Sequence, residues 1–363
     1  MEINKDLINN PKIKNIALLS FFGVGDFILA IPTINKIRKI FPDSCITLFI
    51  REGLNELLNP DFGIEYIVTY KYNNSRQKII AILFVLYHLI KRKFDLFINL
   101  QTPVYNTVGS NTLSFWRNNL LALLSFSKHR LGFDYKKSGI LLTNRIYASE
   151  EEIQNIHVSD LTFKIINAIE NKDTSKSFLR LKVGDADQIS AANFLKLNGY
   201  TNNKKLVAIV PGSPQSSKLW IGDKFAEMIK ILIKRYDVQL MFLGSSNDLE
   251  ISNDILQKTN YNMFNFFDKT SLGQLMALLE KSDLLICIDS GPMHIAAAVG
   301  TPIVALFSGQ NLIKNWSPLS NDYKIISKKV KCSPCFKSDC QDNICMKAID
   351  VEEVIDAAEK YIT

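Results

Sequence analysis

LLICIDSGPMHIAAAVGTP (residues 284–302) reads as an apolar strand, a turn and a helix. The strand ends at Asp289, and the chain turns on Ser290-Gly291. Pro292 falls in the first helical turn, where its fixed φ fits and its missing N–H is not needed. Ala296, Ala297 and Ala298 let the helix lie close to its strand, and Gly300 before Thr301-Pro302 stops it. Unpaired N–H groups at such a helix start favour an anion. The stretch therefore predicts a phosphate-sized, positively polarised pocket, formed by Ser290, Gly291, Pro292 and Met293 and carrying Asp289 and His294.

Outward from this motif, strands alternate with helices, the pattern of a parallel α/β sheet. KLVAIV (205–210), VQLMFLG (238–244) and PIVALF (302–307) read as strands of the same half, with helices at 225–235 and from Thr270-Ser271. The first half repeats the alternation in KNIALLS (14–20), a helix at 27–41, CITLFI (45–50) and FDLFINL (94–100). A helix near 152–170 and the polar run NKDTSKS (171–177) separate the halves. The predicted domains are 1–175 and 176–348, with a helix in 349–363 turned back towards the first domain.

A chain of 363 residues has length for two domains, and 47% apolar with 22% charged residues is a soluble globular composition. A net charge of +7 suits an anionic partner, and nothing in the pattern indicates nucleic acid. The start MEINKDLINNPKIKN lacks the apolar core of a signal peptide, so a cytoplasmic protein is expected. The longest apolar run, IIAILFVLYHLI (79–90), is too short to span a bilayer. It reads as a buried helix, with a membrane-surface helix as the alternative because Lys91, Arg92 and Lys93 follow it.

Several positions carry chemistry. Gly23 and Gly25 allow a tight turn after the first strand, and Asp26 stands at the helix entrance as a ligand group or a cap. A dinucleotide fingerprint would need a third glycine where Ile28 stands. Ser213 and Lys218 follow a strand, where phosphate is bound in open α/β sheets. Glu250, with Asp248 as competitor, is placed for ribose hydroxyls or for capping. Asp185-Ala186-Asp187 has the letters of a metal pair but the position of a helix start. Cys332, Cys335, Cys340 and Cys345 admit a structural zinc, reduced thiols or labile disulfides.

Four ordered segments resemble glycosyltransferase family 9, the ADP-heptose:lipopolysaccharide heptosyltransferases. They are ALLSFFGVGDFILAIPTINKIRKIFPDSCITLFI, VAIVPGSPQSSKLWIGDKFAEMI, SLGQLMALLEKSDLLICIDSGPMHIAAAVGTPIVALFSGQ and CSPCFKSDCQDNICMKAIDVEEVIDAA. The resemblance implies an α/β GT-B architecture, two Rossmann-like domains facing a central cleft. It implies metal-independent, inverting transfer of heptose from ADP-heptose, with no cofactor required. Asp26 falls on the family's catalytic base, Lys218 on its phosphate-contacting lysine and Glu250 on its ribose-binding acid. Asp289, Gly291 and His294 fall on its donor motif. The expected acceptor is the anionic glycolipid of the lipopolysaccharide inner core, so peripheral contact with the inner membrane is expected. Arg117 and Lys128, in the basic stretch 115–137, are the acceptor-side candidates with Gly23 and Gly25. The alternatives are a different nucleotide sugar, a capsule or protein acceptor, or a nucleotide-sugar-binding protein without catalysis.

Overall fold

A computed structural model describes residues 7, 12–58, 60–103, 112–172, 180–259, 261 and 263–363. The chain divides into two compact units, residues 1–179 and 180–363. Most of the polar run 171–177 lies outside the described residues.

The first unit holds β1 (Asn15–Leu19), β2 (Cys45–Arg51), β3 (Tyr66–Tyr70), β4 (Leu96–Asn99), β5 (His129–Phe133) and β6 (Asn144–Ile146). They form one sheet in the order β3-β2-β1-β4-β5-β6, and every pairing is parallel. The second unit holds β7 (Lys205–Val210), β8 (Val238–Phe242), β9 (Phe264–Asn265), β10 (Leu284–Ile288), β11 (Ile303–Phe307) and β12 (Tyr323–Ser327). Its order is β12-β11-β10-β7-β8-β9, also all parallel. The first sheet has the strand order 3-2-1-4-5-6 of a dinucleotide-binding fold. The second, numbered within its own unit, runs 6-5-4-1-2-3, the same order read from the other edge. The direction of winding therefore reverses once per unit, between β1 and β4 and between β7 and β10. Ligands of open α/β sheets bind outside the C-terminal ends of the strands at that reversal.

Runs such as LLICI and IVALF are buried at every residue, as strands covered by helices on both faces must be. Around the first sheet, α1 (Val24–Ile40), α2 (Ser75–Arg92) and α3 (Thr112–Leu124) bring side chains to its reversal. The helix expected over 152–170 is two, Glu150–Asn155 and Val158–Glu170. The break falls at His157, whose Nδ1 accepts the Ser159 amide at 3.1 Å and caps the second helix.

One expectation changes. The run 79–90 is not a buried helix: α2 buries only Ala81, Val85 and Leu89 and leaves six large apolar side chains exposed. The final helix, Val351–Ile362, is a built part of the second unit. It starts with an Asp350–Glu353 capping box and places Val351, Val354, Ile355, Ala358 and Ile362 in one cluster with Val207, Leu284 and Leu306. Among the described residues no helix is long and apolar enough to cross a membrane.

Candidate functional site

At the reversal of the first sheet, β1 runs into α1 through Gly23, which is the N-cap residue. Asp26 is in the first turn of that helix, so its carboxylate stands at the C-terminal edge of the sheet near the positive helix end. Gly23 is not there for backbone conformation. It has φ −77, and a Cβ on it would sit 3.8 Å from Asp26 Oδ2, an ordinary contact.

Asp26 lines a cavity of ≈ 180 Å³ together with Phe21, Phe22, Tyr72, Lys78, Gln101, Thr102, Ser114 and Arg117. Gln101 and Thr102 follow β4, the strand on the other side of the reversal, while Lys78 lies in the first turn of α2. Gln101 is fixed at both ends of its amide: Asn118 Nδ2 donates to its Oε1 at 2.6 Å, and its Nε2 donates to Ser114 Oγ at 2.7 Å. The Arg117 guanidinium lies 4.1 Å from the Phe21 ring centroid, and its Nε donates to Asn118 Oδ1 at 2.9 Å. Burial lowers the Arg117 pKa from its ordinary value, with Tyr72 and Tyr70 pulling the other way. Burial, then repulsion from Arg117, lowers that of Lys78. A cavity with one carboxylate, two cations and several amide and hydroxyl groups suits an anionic, polyhydroxylated ligand.

Of the predicted acceptor-side residues, Arg117 joins Asp26 and Lys128 does not. Lys128 is exposed and immediately precedes β5, so it lies at the N-terminal edge of the sheet. The chain runs down α3 between the two residues, which carries Lys128 away from the cavity edge. Lys78, Tyr72, Gln101 and Thr102 were not singled out from the sequence. The signal available for Gln101 and Thr102 was their place just after the strand FDLFINL.

The second unit repeats the arrangement with different groups. Lys218 ends the short 3-10 turn Ser216–Lys218 after β7, and Asp289 follows β10, its neighbour across the reversal. Lys218 Nζ is 2.8 Å from Asp289 Oδ2, with the side chains 14% and 7% exposed. Asn311 Nδ2, from the loop after β11, donates to the same oxygen at 2.8 Å. Ser290 is the N-cap of the helix Gly291–Val299, which has Pro292 in its first turn and ends at Gly300 with φ 87, as the sequence predicts. Met293 and His294 are buried in that helix. Ser213 Oγ accepts the Gln215 amide at 3.1 Å and shapes the loop ahead of Lys218.

Asp248 and Glu250 stand in different surroundings. Asp248 closes a capping box with Ser245 and packs so tightly that a Cβ on Gly212 would strike its Oδ1. Glu250, in the first turn of the helix Leu249–Thr259, is exposed. Asp185 and Asp187 are in the first turn of the helix Asp185–Leu197, whose N-cap is Gly184.

The cysteine segment braces the loops that follow β7 and β11. The Ser217 amide donates to Ser338 O at 3.2 Å, the Cys340 amide to Ser216 Oγ at 3.2 Å, and Asn343 Nδ2 to Leu219 O at 2.7 Å. Gly309 N donates to Cys345 Sγ at 3.2 Å and Cys335 N to Gly309 O at 2.9 Å. From the other side, buried Trp220 donates its indole N–H to Ile349 O at 3.4 Å. The turn bearing Lys218 is thus held from both flanks. Among the described residues no group of three or more His, Cys, Asp or Glu side chains is placed to hold a metal ion. The contacts of the cysteine segment are made by the Ser338 carbonyl, by the backbone amides of Cys335 and Cys340 and by the side chains of Asn343 and Cys345.

The family model of glycosyltransferase family 9 (heptosyltransferase) matches residues 86–345. The lipopolysaccharide core heptosyltransferase OpsX of Haemophilus influenzae is 25% identical over 320 residues, covering 86% of this chain and 84% of that protein. Lipopolysaccharide heptosyltransferase 3 of Escherichia coli K12 is 24% identical, covering 93% and 95%. The crystal structure of a family 9 glycosyl transferase from Veillonella parvula superposes with a TM-score of 0.79 at 23% identity, covering 96% and 97%. ADP-heptose lps heptosyltransferase II of Escherichia coli superposes at 0.71 and 18% identity, covering 96% and 98%. These likenesses in structure show the GT-B fold. With the family match over most of its length, the chain belongs to glycosyltransferase family 9, the heptosyltransferase family.

Proposed function

We propose that this glycosyltransferase moves heptose from ADP-heptose to an anionic sugar of the lipopolysaccharide inner core, with inversion at the anomeric carbon. The observation that carries this reading is the largely buried Lys218–Asp289 pair, two residues ahead of the helix Gly291–Val299. A diphosphate beside a lone carboxylate would be repelled. Pairing with Lys218 neutralises Asp289, while the ammonium keeps further N–H donors for phosphate oxygens.

The acceptor hydroxyl oxygen attacks the anomeric carbon as the bond to the β-phosphate oxygen breaks and ADP departs with its electrons. Asp26 takes the hydroxyl proton as general base. Lys218, Ser213 and the N–H group at Gly291 stabilise the charge that gathers on the leaving diphosphate. Glu250 accepts hydrogen bonds from ribose hydroxyls, and Asp289 and Asn311 orient the donor groups. Lys78 and Arg117 take the anionic group of the acceptor. The protein's own cations carry the electrostatic work, so turnover persists in EDTA. The reaction belongs at the cytoplasmic face of the inner membrane, where nucleotide sugar and glycolipid meet.

A thermal-stability screen with ADP-heptose, UDP-sugars and GDP-sugars tests the donor. Binding raises apparent stability by mass action, so a rise with ADP-heptose alone is expected. A rise with a UDP-sugar alone keeps the transferase and removes the heptose.

A further inference from the structure

The helix α2 is apolar on two opposite faces. Ala81, Val85 and Leu89 face the sheet, and Ile79, Ile80, Leu83, Phe84, Tyr87 and Ile90 stand outside it, each 42–59% exposed. The outer six recur at helical spacing and form one stripe about 17 Å long. The neighbouring helix α3, packed against α2, exposes Leu113 and Leu120, and just beyond its end Phe126 is 78% exposed. Phe126 also has φ 55, a left-handed conformation that disfavours a bulky side chain. Monomeric soluble proteins rarely leave so many large apolar groups side by side.

Charge says what covers this face. Helices α2 and α3 hold no carboxylate, Arg76, Lys91, Arg92, Lys93 and Lys128 lie on or beside them outside the cavity, and residues 66–133 hold one carboxylate, Asp95. That carboxylate is turned to the sheet edge, where its Oδ2 accepts the amides of Lys14 and Asn15 at 2.9 Å. Lys91, Arg92 and Lys93 close α2, and Lys128 follows Phe126; both sets lie ahead of a strand, β4 or β5, and so at one edge of the sheet. An apolar helix face with aromatic groups and a basic border, lacking acids, is the chemistry of a helix lying in the headgroup layer of an anionic bilayer.

We infer that the α2 face, with the end of α3, is a docking surface for anionic phospholipid. The stripe begins at Ile79, beside Lys78 of the cavity wall, so docking sets the cavity near the headgroup layer. This stands on exposure and charge alone and holds whichever donor the enzyme uses.

The test is sedimentation of the full chain with vesicles of phosphatidylcholine, alone or mixed with phosphatidylglycerol. Wild type is expected to bind the mixed vesicles, less so as salt screens the charge. L83E/Y87E and, separately, K91E/K93E should lower that binding about tenfold or more. Thermal midpoints and ADP binding should not move, since all four positions are exposed and outside both sites. Wild type failing to bind mixed vesicles, or L83E/Y87E binding like wild type, overturns the inference. So does a dimer in light scattering that L83E/Y87E dissociates without any vesicle binding, which assigns the face to a second copy.

Discussion

Lys218 Nζ and Asn311 Nδ2 both lie 2.8 Å from one carboxylate oxygen of Asp289, so strands β7, β10 and β11 each contribute one arm to a single contact. Because the pair is largely buried, neither charge is well solvated if the other is removed. Lys218→Met is therefore expected to destabilise the chain by ~3–5 kcal/mol and weaken ADP binding by roughly tenfold or more. Lys218→Met combined with Asp289→Asn should recover much of the stability and none of the ADP affinity. Denaturant unfolding and titration calorimetry of the three variants check this. Full recovery of ADP binding in the double variant would remove Lys218 from the phosphate site.

Asp26 belongs to the first unit, and the proposed nucleotide contacts belong to the second. Asp26→Asn should thus lower kcat by about 10²–10⁴ while ADP affinity stays within about twofold. Steady-state kinetics alongside calorimetry separates the two. A matching loss in ADP affinity would mean that Asp26 holds the donor or the fold, not the proton.

How legible each element was in the sequence depends on what stabilises it. LLICIDSGPMHIAAAVGTP was legible because strand, Pro, small residues and terminal Gly all favour the same local structure. β3 was not: YIVTY lies at the sheet edge with only Val68 and Tyr70 buried, so its pattern is weak. β5 carries His129, Arg130 and Gly132 within HRLGF, and β6 is only three residues. At the site, Asp26, Lys218 and Asp289 stood out through local motifs. Lys78 and Arg117 are brought to Asp26 by α2 and α3, a tertiary fact that no spacing encodes. Lys128 lies apart from Arg117 for the complementary reason: eleven positions along the chain is one helix length away in space.

Gly212 faces the buried Asp248 carboxylate, with room for hydrogen alone. Gly212→Ala is expected to cost ~1–3 kcal/mol through overpacking and disturbance of the Ser245–Asp248 cap. Asp248→Ala alone should cost ~1 kcal/mol as a lost cap. Together the two should cost somewhat less than their sum, because the second change removes two of the atoms that the first one strikes, Oδ1 and Cγ, while the Cβ of residue 248 stays in its path. Additive losses in denaturant unfolding would place the strain elsewhere.

Lys78 has its pKa lowered by burial and then by Arg117. The folded chain therefore binds the Lys78 proton less tightly than the unfolded chain does. Where pH passes from the folded value up to the ordinary lysine value, the unfolded state holds more protons, so this group's contribution to stability rises with pH. Acceptor binding moves the opposite way, because an anion needs the ammonium charged. The acceptor KM should rise with pH starting below the ordinary lysine range, while donor KM stays level. Arg117→Met removes the repulsive neighbour and should shift that rise to higher pH, even as it weakens acceptor binding at neutral pH. Lys78→Arg should abolish the rise altogether, since a guanidinium keeps its charge through the same interval. The discriminating measurement is the acceptor KM of the three proteins across the alkaline range. An identical alkaline profile in all three would exclude Lys78 from the acceptor site.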